Sequence, residues 1–137
     1  MRILLLYLVA FCGAHVLGAA SGHGATLLMN ATTVHDYTKR SISGLVFGGA
    51  AAASSRGLLH IMGLEFSLPF LAVLSASFLC LAAINYGTVK IAIRKHSANR
   101  TASMNLKSLG KHRLAQDLAA TISALGSALF VYSRLPK

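Results

Sequence analysis

Apolar residues gather into four stretches along this 137-residue chain. The first runs from Ile3 to about Ala20 and is interrupted only by His15. The second runs from Ile42 to Leu64, is rich in Gly, Ala and Ser, and contains Arg56. The third, Phe66 to about Val89, is the cleanest. The fourth, Leu118 to Tyr132, follows Asp117 and is short, so it spans only with its flanks. A helix needs about 20 apolar residues to cross the hydrocarbon of a bilayer. The pattern therefore predicts an all-α membrane protein, a single domain over 1–137 with about four transmembrane helices at 3–20, 42–64, 66–89 and 116–135. If 42–64 does not span, three helices remain.

The joins differ in kind. Between the second and third segments lies Gly63-Leu64-Glu65-Phe66-Ser67-Leu68-Pro69. Gly63 can end one helix, Ser67 can cap the next and Pro69 suits a first turn, so a tight helical hairpin is expected. The third and fourth segments are joined by a long polar stretch, expected as a basic inner loop over 90–115. Within it Leu106, Leu109 and Leu114 fall opposite Lys107, Lys111 and Arg113, which fits a helix lying on the membrane surface or an exposed loop.

Composition sharpens this picture. Charged residues make up 12% of the chain, against about 25% in a soluble domain. The 13 Lys and Arg face only three acids, Asp36, Glu65 and Asp117. Because the basic residues bracket apolar runs and form no polar face of a soluble fold, nucleic acid is not an expected partner. Anionic lipid headgroups or acidic neighbours are. Basic residues favour the side from which a chain is inserted. That rule sets the amino and carboxyl termini outside and the stretches 21–41 and 90–113 inside, with nine basic residues between them. A competing reading takes Met1 to Ala20 as a secretory signal and the Asn30 and Asn99 sequons as glycan sites. Cleavage there would strand those nine basic residues outside.

Candidate chemistry is sparse. Gly44 and Gly48 form a small-xxx-small pair, which lets two helix backbones approach closely in lipid. The partner is either another membrane helix or the chain's own third or fourth helix. Arg56, a charge inside an apolar segment, either snorkels to the outer headgroups or meets an acid. His15 and His60 invite haem ligation, but the expected helices set His15 near the inner surface and His60 near the outer one. Cys12 and Cys80 sit in apolar runs and suggest neither a disulfide framework nor a metal set. No phosphate loop, Gly-x-Ser-x-Gly or HExxH is present, so no enzymatic activity is expected.

Two patterns remain: Val34-His35-Asp36-Tyr37-Thr38-Lys39-Arg40-Ser41-Ile42-Ser43, and the pair Asn85-Tyr86. Together they resemble the small membrane-anchor subunit of succinate dehydrogenase, with its His-rich stretch and Arg opening one helix and its Asp-Tyr pair at the inner end of the next. The resemblance implies a ubiquinone pocket at the inner face, Tyr86 donating to a quinone carbonyl with Arg40 and Ser43 nearby. The chain departs from that family in three ways. Asn85 stands where the family has Asp, no His lies between Phe66 and Ile84, and an additional helix precedes the matching region.

The expectation is thus a non-catalytic accessory subunit of a multi-subunit membrane complex, with a mitochondrial respiratory-chain complex of the inner membrane as its setting. Its expected partners are other membrane subunits and an anionic lipid such as cardiolipin, held by Arg94, Lys95, Lys107, Lys111 and Arg113. No cofactor or metal of its own is expected. The alternative is the succinate dehydrogenase anchor with ubiquinone at Arg40, Ser43 and Tyr86. A secretory-pathway multi-span protein is the third reading.

Overall fold

The computed structural model describes residues 1–95 and 100–134, with side chains described for all of these except 93, 95 and 100–110. Among the described residues the fold is wholly helical: α1 (Arg2–Asn30), α2 (Asp36–Ile61), α3 (Leu68–Lys95) and α4 (Arg100–Arg134). Each contains a stretch long and apolar enough to cross a membrane. At about 1.5 Å per residue even α2 exceeds the roughly 30 Å of hydrocarbon.

The helices overrun the expected boundaries, and packing explains why. α1 was expected to end near Ala20 but continues to Asn30. Ser21, Gly22 and Thr26 look like loop residues, yet Gly22 is buried against α2, where its carbonyl accepts from the Ser43 hydroxyl at 3.0 Å. Thr26 in turn lies 3.0 Å from the Ser43 oxygen. α2 begins at Asp36 rather than Ile42, capped by His35, whose ring nitrogen accepts from the Tyr37 amide at 3.4 Å. Asp36 then stands in the first turn, where a carboxylate suits the helix dipole. α2 ends at Ile61, short of the expected Leu64.

Of the two readings of the basic stretch 90–115, surface helix or exposed loop, the described residues are helical. α3 continues to Lys95, and α4 begins at Arg100 and runs without a break into its apolar half. The segment 100–115 has no proline and is rich in Ala, Leu, Lys, Arg and Met, residues that lose little in a helix. Residues 96–99, with the Asn99 sequon, lie outside the described residues.

The expected tight turn after α2 is present. Gly63 has φ +69°, a conformation that glycine adopts without a Cβ penalty. The Gly63 amide donates to His60 at 3.0 Å and the Leu64 amide to Leu59 at 2.8 Å, closing a Schellman cap. Leu64 packs on the cluster that holds buried Leu59, the apolar contact such caps require.

Small residues set the architecture. α2 packs against α1 on one side and α4 on the other. The buried residues of α1 are Ala10, Ala14, Gly18 and Gly22, one every fourth position. On α4, Ala124 and Ala128 are buried with the same spacing. Residues four apart share a helix face, so these rows form ridges without side chains to hold the backbones apart. A Cβ at Gly44 would overlap the carbonyl of Ala120, and one at Gly48 would overlap that of Ala124. The Gly44–Gly48 pair is thus filled inside the chain, by α4. On the opposite side, a Cβ at Gly18 would come within 2.9 Å of the Phe47 carbonyl.

α3 is held differently, by bulk. Leu71, Leu74 and Phe78 fill the space between it and the small-residue ridges. At the far end Phe70 meets Tyr7 and Phe11, with ring centroids 5.8 and 6.4 Å apart. Between these layers His15 ties α1 to α3, its Nε2 lying 2.7 Å from the Ser77 oxygen. Its Nδ1 lies 2.9 Å from the Phe11 carbonyl, to which it can only donate. His15 was expected near the inner surface. Because α1 reaches Asn30, it lies at mid-helix instead, ringed by Phe11, Phe47 and Phe78. The outer surface carries exposed Ile, Leu, Val and Phe from all four helices, as lipid contact requires.

Gly48→Ala should therefore lower stability by about 1–3 kcal/mol or more, since backbone and not a flexible side chain must move. Gly57 faces open space, so Gly57→Ala should be neutral or slightly stabilising. Unfolding of both variants in mixed micelles checks this, and equal effects would contradict the close approach.

Candidate functional site

The bundle has two unlike ends. One gathers the start of α1, the α2–α3 turn and the end of α4. There the Tyr7 hydroxyl donates to the Glu65 carbonyl at 3.3 Å, and the rings of Phe66 and Tyr132 lie 5.4 Å apart. At the other end the Tyr37 hydroxyl lies 3.1 Å from His112 Nδ1, joining the first turn of α2 to α4. That second end holds Lys39, Arg40, Lys90, Arg94, Lys95, Arg100, Lys107, Lys111 and Arg113 against Asp36 and Asp117.

A cavity of about 260 Å³ opens between the helices toward this basic end. Its floor is apolar, from Phe47, Phe78 and Leu81, and its rim carries His23, Arg40, Asn85 and Asp117. A second cavity of about 250 Å³ shares Arg40, Asn85 and Asp117 and adds Thr88 and Arg113. The cavities arise where the small-residue ridges stop. One helical turn beyond Gly44 and Ala120 come Arg40 and Gln116–Asp117, which are too large to let α2 and α4 close.

The hydrogen-bond ledger of the rim is one-sided. Thr88 gives its proton to the Asn85 carbonyl at 2.8 Å, and Thr121 gives its own to the Asp117 carbonyl at 2.7 Å. Ser43 gives its proton to Gly22. Among the described residues neither Arg40 nor Arg113 forms an ion pair with Asp117, and the Asn85 amide has no hydrogen-bond partner. The donors left facing the cavities are two guanidiniums, the Asn85 amide and the His23 ring N–H, beside the Asp117 carboxylate as an acceptor. Such a rim receives an acceptor-rich or anionic group.

The expected quinone residues are divided by this geometry. Arg40 and Ser43 both line the larger cavity, as does Asn85. Tyr86 does not: it is 45% exposed on the flank of α3, its ring 6.0 Å from Lys90 Nζ. One residue along a helix turns a side chain by about 100°, so Asn85 and Tyr86 face different ways. Ser43 lines the cavity as a structural tie between α1 and α2, its proton already committed. Of the residues expected at lipid headgroups, Arg94, Lys111 and Arg113 are exposed, and Arg113 also lines the smaller cavity. Lys95 and Lys107 lie on helical backbone at the same end, but their side chains are outside the described residues.

Asp117 and His23 were not singled out as site residues. Asp117 carried a signal, being one of three acids and standing where a basic stretch meets an apolar one. His23 gave none. Arg56 is half-buried and forms no ion pair among the described residues, so pairing with Glu65 is not observed. Cys12 and Cys80 are exposed and apart from the cavities.

No protein-family model matches the chain, and no curated protein or solved structure matches it. The geometry therefore stands on its own.

A cysteine at the rim should be reachable from water, whereas native Cys80 on the apolar flank should not. In membranes, N85C in a C12A/C80A background should label with a charged maleimide applied from the basic side, and wild type should not. Labelling of both at equal rates would contradict the opening.

Proposed function

We propose that this chain is a non-catalytic accessory subunit of a multi-subunit membrane complex, seated with its basic end at an anionic lipid surface. The observation that carries this reading is the partition of charge. Nine basic residues and two acids share one end of a bundle whose flanks are apolar. A charge asymmetry of that size fixes orientation in the membrane and draws anionic headgroups, each basic residue near such a surface adding about 1 kcal/mol. The mitochondrial inner membrane, rich in cardiolipin and in complexes with small basic subunits, is the setting we favour, on composition.

One observation favours a second reading. Arg40, Ser43 and Asn85 line one cavity, as an anchor with a quinone site needs. Against it, Tyr86 faces away, and at about 260 Å³ the cavity is smaller than the roughly 300–1,000 Å³ of ligand pockets. A ring with a long tail would have to leave most of itself in lipid.

Native purification of the tagged chain in mild detergent, with mass spectrometry of what accompanies it, separates these readings. Co-purifying respiratory subunits support the accessory role, and the flavin and iron–sulfur subunits of succinate dehydrogenase promote the anchor. A chain that purifies alone as a stable monomer, or that carries glycans on Asn30 or Asn99, contradicts both. Cysteines at residues 34 and 65, each in a background without native cysteines, should label from opposite sides of the membrane. Labelling from the same side would remove the charge-based orientation.

A further inference from the structure

The two cavities meet at Arg40, Asn85 and Asp117, and Arg113 closes the outer one. We propose that this joint is a built site for one phosphodiester headgroup of an anionic phospholipid, distinct from the diffuse positive field around it. The proposal rests on the lipid-facing reading of the basic end and gives that reading a specific address.

Three properties of the joint select the ligand. First, its free donors are guanidiniums and an amide, since the hydroxyls of Ser43, Thr88 and Thr121 have spent their protons on backbone carbonyls. Guanidinium forks bind phosphate oxygens in pairs. Second, the charge count leaves room for one negative charge. Arg40 and Arg113 bring two positive charges and Asp117 removes one, with no ion pair closing between them. A phosphodiester carries a single negative charge, whereas a phosphomonoester carries about −1.5 to −2 near neutral pH. Third, the joint stands at the end of an apolar bundle, beside the lipid-facing flanks. A headgroup can enter while its acyl chains stay against exposed residues such as Leu81 and Ile84 of α3. A cavity of about 260 Å³ holds a headgroup and not a whole lipid.

The test uses the full chain in mild detergent, stripped of lipid and then offered phosphatidylglycerol and phosphatidylcholine in equal amounts. Native mass spectrometry counts what is retained. Wild type should keep one phosphatidylglycerol in preference to phosphatidylcholine. R40K/R113K keeps the charge but loses the forks, and should weaken retention about tenfold. K90Q/K111Q removes two charges from the same end outside the joint, and should change retention by no more than about twofold. D117N leaves a second positive charge uncompensated and should shift preference toward the more highly charged phosphatidic acid. The aspartate variant keeps the question open to test if the arginine variants do not fold.

Retention that falls with K90Q/K111Q and not with R40K/R113K would assign binding to the diffuse field and overturn the site, while leaving the lipid-facing reading intact. Wild type without preference for the anionic lipid would overturn both. Displacement of the lipid by millimolar inorganic phosphate would make the ligand a soluble anion and overturn the lipid assignment.

Discussion

The fold depends on the contact of α2 with α4, where Gly44 and Gly48 lie directly on the backbone of Ala120 and Ala124. In lipid no hydrophobic effect draws one apolar helix to another, because the tails are as apolar as leucine. What remains is van der Waals contact, and that requires surfaces close enough to touch along their length. Glycine and alanine every fourth residue supply such a surface on three helices at once. α2 thereby packs against α1 and α4 on opposite sides, and the bundle is built around it.

The less regular parts of the structure follow from that contact. α3 has no small-residue ridge facing the bundle, so it stands off on Leu71, Leu74 and Phe78 and needs the His15–Ser77 bond as a polar tie. Where the ridges end, at Arg40 and Asp117, the helices part and the cavities open. The position of the candidate site is thus a consequence of packing: close approach stops at the point where charge begins. The same change from small to charged residues carries the chain out of its apolar zone and into the basic end.

The sequence disclosed the helices, the Gly63 turn and the small-residue pair, because length, apolarity and glycine spacing are local signals. It misjudged where helices end. Gly22 and Thr26 read as loop residues only until Ser43 is opposite them, and the spacing of the basic segment before Asp117 fitted a surface helix and a loop alike. It offered both an external and an internal partner for Gly44–Gly48, and no local signal decides between them. Of the pair Asn85-Tyr86, the fold sets Asn85 on the cavity and Tyr86 on the exposed flank of α3. Facing directions there depend on how α3 is rotated against α4, which bulk side chains fix and spacing does not reveal. Asp117 was legible as an unusual acid, but its place beside Arg40 and Arg113 on the lining of one cavity required the fold.

The most direct test of this account is a search by nuclear magnetic resonance for contacts between the Hα protons of Gly48 and of Ala124 in detergent. The sample should mix isotope-labelled and unlabelled chains, so that contacts within a chain and between chains are told apart. The account predicts a strong contact within one chain, repeated at Gly44 and Ala120. A contact found only between chains, or none at either pair in a folded sample, would contradict it and return the Gly44–Gly48 ridge to an external partner.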